Sequence, residues 1–125
     1  MAKPLDGIKV LDMTKVLAGP YCGMMLRNLG AEVIHCEMPG AGDDARAYGP
    51  YVNGESIYFL SINRGKKSIE INAKTPEGKK VLTDLIKKAD VYVQNFKPGA
   101  LDKMGFGYED VKKINPRCVY VAISG

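Results

Sequence analysis

The sequence contains no tryptophan, one histidine and three cysteines among its 125 residues. Cys22, Cys36 and Cys118 are odd in number, widely spaced and set in apolar surroundings, which predicts reduced thiols and no disulfide framework. No zinc-type pair of cysteines is present, and His35 has no cysteine or carboxylate at metal-ligand spacing. We therefore expect no metal site and interpret His35 as a half-buried residue of a strand.

Long apolar runs are also missing. No stretch approaches the roughly 18 unbroken apolar residues of a membrane span, and the first ten residues lack the apolar segment of a signal peptide. These absences predict a cytoplasmic protein that does not associate with membranes; a mitochondrial location would require a transit peptide that has already been removed. With 46% apolar and 26% charged residues, the composition is typical of one globular domain.

Positive charge is concentrated in the second half of the chain, within a modest net charge of +4. This distribution suits an anionic ligand. Because there is no RNA-recognition aromatic motif and no zinc finger, a small anion is favoured over nucleic acid. The GxGxxG fingerprint of dinucleotide sites is missing from the first turn as well, and Pro20 removes a backbone donor there, so NAD binding is not expected. Glu37, which ends the second strand, is interpreted as a solvated carboxylate.

No nucleophile in the sequence has a base at a spacing that would activate it. None of the carboxylates is placed by spacing beside another carboxylate or a histidine. Asp12 and Asp90 flank strands and are expected to serve turns. Cys22 lies near the start of a helix, where a low pKa is conceivable, but its position on the apolar face favours core packing. The sequence therefore predicts no catalytic residue within the chain.

Alternating strand and helix patterns predict an α/β fold with a Rossmann-like, open, mostly parallel sheet and helices on both faces. The first β-α-β unit covers residues 8–37, with Cys22, Met25, Leu26 and Leu29 as the apolar face of its helix. Residues 39–54 show neither period and predict a long surface loop. Residues 56–63 fit either a short helix or a strand. Thr75 is predicted to cap a helix that begins with Pro76.

The final strand, "CVYVAISG", has no covering element after it, although parallel sheets are normally covered on both faces. We therefore expect residues 1–125 to form the N-terminal part of a larger domain. In open α/β sheets, ligands bind at the carboxyl ends of the strands. The residues that follow the predicted strands are 14–18, 37–38, 71–74, 95–97 and 124–125.

Four segments in register carry a family resemblance: "PLDGIKVLDMTKVLAGP", "LGAEVIHCEMPGAGDDAR", "NRGKKSIEINAKTPEGKK" and "ADVYVQNFKPGALDKMGFGYEDVKKINPRCVYVAISG". Over the whole chain they resemble the start of the class III coenzyme A (CoA) transferases, the CaiB/BaiF family of formyl-CoA transferase, carnitine CoA-transferase and alpha-methylacyl-CoA racemase, with formyl-CoA transferase the nearest. The resemblance implies the N-terminal part of a CoA-binding Rossmann-like large domain. In the full-length protein it also implies a small domain and an interlocked homodimer.

The resemblance also implies the residues that contact CoA, which acts as a substrate because no prosthetic group is expected. They are Val16, Leu17, Ala18, Met38, Ile71, Asn72, Ala73, Lys74, Asn95, Phe96, Lys97, Lys103 and Met104. Two positions depart from formyl-CoA transferase: Met38 replaces an arginine, for which Arg46, Arg64 or a lysine could substitute, and Leu17 replaces a glutamine near the acyl site. Both changes favour a general acyl-CoA transferase over one for oxalate or formate.

In the family, an aspartate attacks the thioester and forms a mixed anhydride, through which CoA passes to a carboxylic acid acceptor. The resemblance implies that this aspartate follows Gly125, so the chain by itself is expected to be inactive. Two alternatives remain open at this point. One is an acyl-CoA racemase of the same family, and the other is a non-catalytic module that binds a nucleotide or CoA.

Overall fold

The computed structural model describes residues 2–125. These residues form seven strands and five helices, with one 3-10 turn at Asp44–Ala47. The strands are β1 Lys9–Asp12, β2 Glu32–Glu37, β3 Tyr51–Val52, β4 Glu55–Ser56, β5 Lys67–Glu70, β6 Val91–Gln94 and β7 Val119–Ala122. The helices are α1 Ala18–Asn28, α2 Ile57–Asn63, α3 Pro76–Lys88, α4 Ala100–Met104 and α5 Tyr108–Ile114. The elements alternate except for the consecutive strands β3 and β4 and the consecutive helices α4 and α5.

Five of the strands form one parallel sheet in the order β5-β2-β1-β6-β7. The α/β prediction is confirmed. β7 is an edge strand, and its Val119 side chain is 58% exposed. No helix within residues 2–125 is both long enough and apolar enough to cross a membrane.

α3 forms where its local signals predict it. The Thr75 side chain accepts a hydrogen bond from the amide of Gly78, and Pro76 occupies the first turn, where its missing N–H is harmless. Leu82 and Ile86 are fully buried, one turn apart. They pack against the sheet in a core of twelve buried residues: Leu11, Met13, Cys36, Ile71, Ala73, Leu82, Ile86, Ala89, Tyr92, Leu101, Phe106 and Val111. We call this side of the sheet the α3 face.

The opposite side of the sheet, the α1 face, has a much smaller apolar core of Val10, Ala31, Val33 and Val93. Side chains alternate between the two faces along each strand, so Val10 and Asp12 share the α1 face while Leu11 lies on the α3 face. The α1 face thus changes from apolar to polar toward the carboxyl ends of its strands. The sequence had predicted only a turn residue at Asp12 and a half-buried side chain at His35 in this part.

α1 packs on this face through small residues. Its buried residues are Gly19, Pro20 and Gly23, while Met25 and Leu29 are more than 40% exposed. The predicted apolar stripe is therefore wrong for those two positions, although Cys22 and Leu26 do contact the core. The helix can lie this close to the sheet because Gly23 has no Cβ. A Cβ at this position would approach the Asp12 carboxylate to 2.6 Å.

The segment predicted as a long surface loop is more ordered than expected. Residues 39–54 contain the 3-10 turn and most of the β3-β4 hairpin. Asp43 and Ala45 are buried, and the Ser56 hydroxyl donates to the carbonyl of Ala45 at 2.9 Å. The loop prediction is wrong in this part because polar contacts to distant residues, which have no sequence period, hold the segment against the sheet.

Candidate functional site

A groove crosses the carboxyl edge of the sheet, as expected for an open α/β fold. Its volume is about 510 Å³, and it lies between the segments that follow β1 and β6. It continues toward the end of β7. The lining residues are Lys15, Val16, Leu17, Ala18, Asp44, Asn95, Phe96 and Lys97, with Pro98, Ile123, Ser124 and Gly125 in the continuation.

Asn95 joins the two segments that form the groove. Its side-chain oxygen accepts from the Lys15 amide at 2.8 Å, and its side-chain nitrogen donates to the Lys15 carbonyl at 2.8 Å. The amide predicted as a ligand contact therefore clamps the backbone of Lys15, 80 residues away. The turn that follows, through Pro98 and Gly99, is as predicted, since Gly99 has a φ of +81°.

Val16 has a left-handed backbone, with a φ of +68°. For a β-branched residue this conformation is a genuine outlier and costs about 1–3 kcal/mol. Neighbouring contacts stabilise it: the Val16 amide donates to Oδ1 of Asp43 at 3.0 Å, and the preceding residue is clamped by Asn95. Strain of this kind, held in place by its surroundings, is typical of functional sites.

Two lysines give the groove positive charge. Lys15 Nζ lies 5.5 Å from the centre of the Phe96 ring, and the Lys97 side chain is exposed. Among residues 2–125, no ion pair within 4.0 Å involves either lysine. α1 also begins in the groove without a side-chain cap, so its first turn presents the backbone N–H of Ala18 there, although Pro20 in the same turn has no N–H. This combination suits an anionic ligand with an apolar or aromatic part.

The structure separates the remaining predicted contact residues from this groove. Ile71 and Asn72 line a neighbouring groove beside the start of α3. The side chains of Ile71 and Ala73 are buried in the α3-face core, and Met104 packs against it. Lys74 and Lys103 are exposed, and Met38 is half-buried; none of the three lines either groove. Six of the thirteen predicted residues thus share the main groove, and the family resemblance left out its Lys15 and Asp44.

Directly beneath the groove lies a buried charged cluster that sequence reasoning missed. The register of β1 and β2 places Asp12 beside His35, which is 2% exposed. His35 Nδ1 lies 3.3 Å from the Asp12 carboxylate, and Nε2 lies 3.5 Å from the Asp43 carboxylate. The predictions of a turn role for Asp12 and of a half-buried His35 are therefore wrong. The sequence did contain a signal for this pair, since Asp12 and His35 are polar residues late in two strands that are otherwise apolar on that face.

Lys66 completes the cluster. Its ammonium group donates to the Asp12 carboxylate at 2.8 Å, to the Pro20 carbonyl at 2.9 Å and to the Asn63 side chain at 2.8 Å. With its side chain only 1% exposed, all three donors are satisfied inside the protein. The other oxygen of Asp12 accepts from the amide and hydroxyl of Thr14. Within residues 2–125, no group of three His, Cys, Asp or Glu side chains is arranged to hold a metal ion.

Charge pairing dominates the protonation states of the cluster. Burial lowers the pKa of His35, but its contacts with Asp12 and Asp43 outweigh burial and raise that pKa to about 9. Burial raises the pKa of Asp12, yet His35 and Lys66 hold it below its ordinary value. Asp43 behaves in the same way: burial is outweighed by His35 and by the backbone amides of Ala45 and Val16. At neutral pH Asp12 and Asp43 are therefore carboxylates, and His35 is an imidazolium.

Glu37 is buried, which contradicts its interpretation as a solvated carboxylate. Both of its oxygens accept from Arg46, at 2.7 and 2.8 Å, and this pairing holds the pKa of Glu37 below its ordinary value. The Arg46 guanidinium also stacks on Phe59 at 3.8 Å. Arg46 thus already pairs with Glu37 and packs on Phe59, and its role as the replacement for the arginine that Met38 displaces stays a prediction.

Comparison with known proteins agrees with this architecture. The succinyl-CoA:glutarate CoA-transferases of mouse and human are 55% and 54% identical over 98% of this chain. The acetyl-CoA:oxalate CoA-transferase of Acetobacter aceti is 48% identical over 98% of this chain. The chain spans 28–31% of the length of these three relatives.

Solved structures show the same similarity in three dimensions. A CaiB/BaiF family protein from Brucella suis superimposes with a TM-score of 0.93 and 45% identity, over 100% of this chain and 34% of its own. Rv3272 from Mycobacterium tuberculosis gives a TM-score of 0.91 and 42% identity, over 99% and 35%. A sequence model of CoA-transferase family III matches residues 5–125. The chain therefore belongs to CoA-transferase family III.

Proposed function

We propose that the full-length protein moves CoA between carboxylic acids, and that residues 1–125 form part of its CoA-binding large domain. The observation that carries the proposal is the groove itself. In a chain of this family it combines two lysines that form no ion pair within residues 2–125, an aromatic ring and the uncapped start of α1. CoA is an anionic ligand with an aromatic adenine and a long, uncharged arm that contains amide groups, and it matches each of these features.

Each part of the groove has a proposed task. Lys15 and Lys97 bind phosphate oxygens, and the backbone of Val16, Leu17 and Ala18 contacts the pantetheine arm. Asn95 acts through Lys15, because both polar atoms of its side chain already hold that backbone. Met38, Lys74, Lys103 and the backbone of 71–73 form an outer part of the same site.

The acyl group is proposed to be larger than formyl. Leu17 is 48% exposed at the groove and presents an apolar side chain. In addition, the succinyl-CoA:glutarate relatives share 54–55% of their residues with this chain, against 47–49% for the formyl-CoA:oxalate relatives. We therefore place succinyl and glutaryl groups ahead of formyl and oxalyl groups, although the sequence resemblance named formyl-CoA transferase as the nearest.

Covalent catalysis is assigned to an aspartate outside residues 1–125, as the family resemblance implies. The role of this chain is to bind and orient the thioester so that such a carboxylate can attack its carbonyl carbon. We further propose a homodimer in the cytoplasm for the full-length protein, which sedimentation and cell fractionation would test.

The decisive experiment supplies the full-length protein with succinyl-CoA and isotopically labelled glutarate, and follows labelled glutaryl-CoA by mass spectrometry. Labelled oxalate serves as the matched comparison. Transfer to glutarate, with an acyl-enzyme that hydroxylamine releases, supports the proposal. Absence of transfer from every acyl-CoA tested would refute it. Solvent deuterium entering the acyl α-carbon would indicate a racemase instead, and binding without either reaction would indicate a non-catalytic module.

A further inference from the structure

His35 bridges two carboxylates from different parts of the chain, and the proposed function assigns it no task. Asp12 belongs to β1, and Asp43 belongs to the segment that precedes the 3-10 turn. The imidazole nitrogens lie 3.3 Å from one carboxylate and 3.5 Å from the other. The ring is 2% exposed, so it faces no solvent that could replace either contact.

The two carboxylates depend on His35 to different degrees. Asp12 is also held by Lys66 and Thr14. Asp43 Oδ2, in contrast, is buried, and neither it nor the two ring nitrogens of His35 has a hydrogen-bond partner within residues 2–125, so the charge of the imidazolium 3.5 Å away is what compensates this oxygen. Loss of the imidazolium would therefore leave Asp43 with an uncompensated buried charge, whereas Asp12 would keep its partner Lys66.

Asp43 leads directly to the groove. Its Oδ1 accepts from the amide of Val16 at 3.0 Å and from the amide of Ala45 at 2.9 Å. Val16 is the residue with the strained left-handed backbone, and it lines the groove together with Asp44. The side chain of Asp43 is thus the connection between a buried histidine and the backbone shape of the binding groove.

We propose that His35 is a positioning residue: it orients Asp43, which in turn holds Val16 in its left-handed conformation and so shapes the groove for CoA. The part of this inference that concerns CoA rests on the proposed function. The part that concerns the groove backbone does not. His35 itself touches neither the groove nor its ligand.

The charged groups around His35 set the pH range in which this link operates. Asp12 and Asp43 contact the ring, Lys66 faces it across Asp12, and Glu37 follows two residues later on the same strand. Arg46 reaches the same region through Phe59, whose ring centre is 6.0 Å from that of His35. With a pKa of about 9, His35 is cationic at neutral pH and loses its proton in alkaline solution.

The test uses the full-length protein and two variants, His35→Gln and His35→Lys. Glutamine removes the charge, while lysine retains a cation at the same position. In the absence of ligand, amide hydrogen exchange of residues 14–18 is expected to accelerate in His35→Gln and to remain near wild type in His35→Lys. The affinity for acetyl-CoA, a thioester with no thiol to titrate, is expected to fall roughly tenfold in His35→Gln and to recover in His35→Lys.

A pH series supplies a readout that simple loss of stability would not produce. The wild-type affinity should decline as the pH rises through about 9, and His35→Gln should abolish this decline. Asp43→Asn, which retains an acceptor for Val16, should move the decline to lower pH because one of the two carboxylates that stabilise the imidazolium is gone.

The possible outcomes separate the two claims. Unchanged exchange of residues 14–18 in folded His35→Gln would overturn the inference, as would lower thermal stability with no effect on either exchange or the pH series. Faster exchange with unchanged affinity would overturn the role in CoA binding. If wild type binds no acyl-CoA at all, the proposed function fails, and the exchange measurement still decides whether His35 holds the groove backbone.

Discussion

The two faces of the sheet are stabilised in different ways. The α3 face is an apolar core of twelve buried residues, in which Tyr92, Leu82 and Ile86 are fully covered. The α1 face has four buried apolar residues and, toward the strand ends, a cluster of four charged side chains. The α3 face is stabilised by the close packing of apolar side chains. The charged cluster of the α1 face contacts the candidate site through Asp43 and Val16.

The largest expected effect on stability comes from Asp12→Ala. The substitution leaves Lys66 and His35 buried without their shared carboxylate, so we expect a loss of about 3–5 kcal/mol in the free energy of unfolding. Urea denaturation measures this loss. The control is Asp84→Ala, which breaks exposed pairs with Lys80 and Lys87 and should have a far smaller effect because solvent screens both pairs. Equal effects of the two substitutions would show that charge does not hold the α1 face together.

On the α3 face, Leu82→Ala is the matching substitution. Leu82 is 0% exposed, and the cavity left behind should cost about 2–5 kcal/mol. Its neighbour Val81, 43% exposed on the same helix, is the control, and Val81→Ala should cost under about 1 kcal/mol. Because no charge is involved, the loss from Leu82→Ala should not vary between pH 6 and pH 9. If the loss of stability in Leu82→Ala depended strongly on pH, the α3 face could not be described as held by apolar packing alone.

Wild-type stability itself should depend on pH through the α1 face. His35 has a folded pKa of about 9 against an ordinary value of 6.5. Its contribution is therefore complete below about pH 6.5 and disappears as the pH rises through about 9. By linkage it amounts to about 3 kcal/mol. Asp12 and Asp43, with lowered pKa values, contribute in the opposite direction, and their part is lost in acid. When unfolding is measured at several pH values, the free energy of unfolding should fall less between about pH 6.5 and pH 9 in His35→Gln than in wild type.

A smaller loss is expected from Gly23→Ala, which tests how closely α1 approaches the sheet. In an open helix this change usually adds up to about 1 kcal/mol of stability. Here the new methyl would lie 2.6 Å from the Asp12 carboxylate and 3.1 Å from Lys66 Nζ, so we expect a net loss of about 1–3 kcal/mol. Met25→Ala, on the exposed side of the same helix, is the control. A gain in stability from Gly23→Ala would refute the tight packing.

The smallest effect on stability is expected at the groove, which belongs to neither face. Lys97→Ala should change the free energy of unfolding by less than about 0.5 kcal/mol, because the side chain is exposed. It should weaken acetyl-CoA binding roughly tenfold through the loss of a charge-assisted phosphate contact. Calorimetry on the full-length protein measures both expectations against Lys79→Ala, an exposed lysine on α3. Equal affinities in the two variants would remove Lys97 from the site.

Local signals predicted much of the fold correctly. The alternation of strand and helix, the Thr75 cap and the Pro98-Gly99 turn all depend on residues close in the chain, and all three are present. The segments after β1 and β6 were expected to meet, since parallel strands have their carboxyl ends at one edge. The assignment of these residues to CoA contact came from the family resemblance and stays a prediction.

The amino-acid sequence by itself determined the family, the parallel α/β fold and the sheet edge that carries the candidate site, because these follow from local periods and from motifs in register. Tertiary structure alone decided the pairing of Asp12 with His35, the contact of Asp43 with Val16, and the clamp between Asn95 and Lys15. These contacts join residues 23 to 80 positions apart. No local period encodes these contacts, since they depend on strand register and on how the segment of residues 39–54 packs against the sheet.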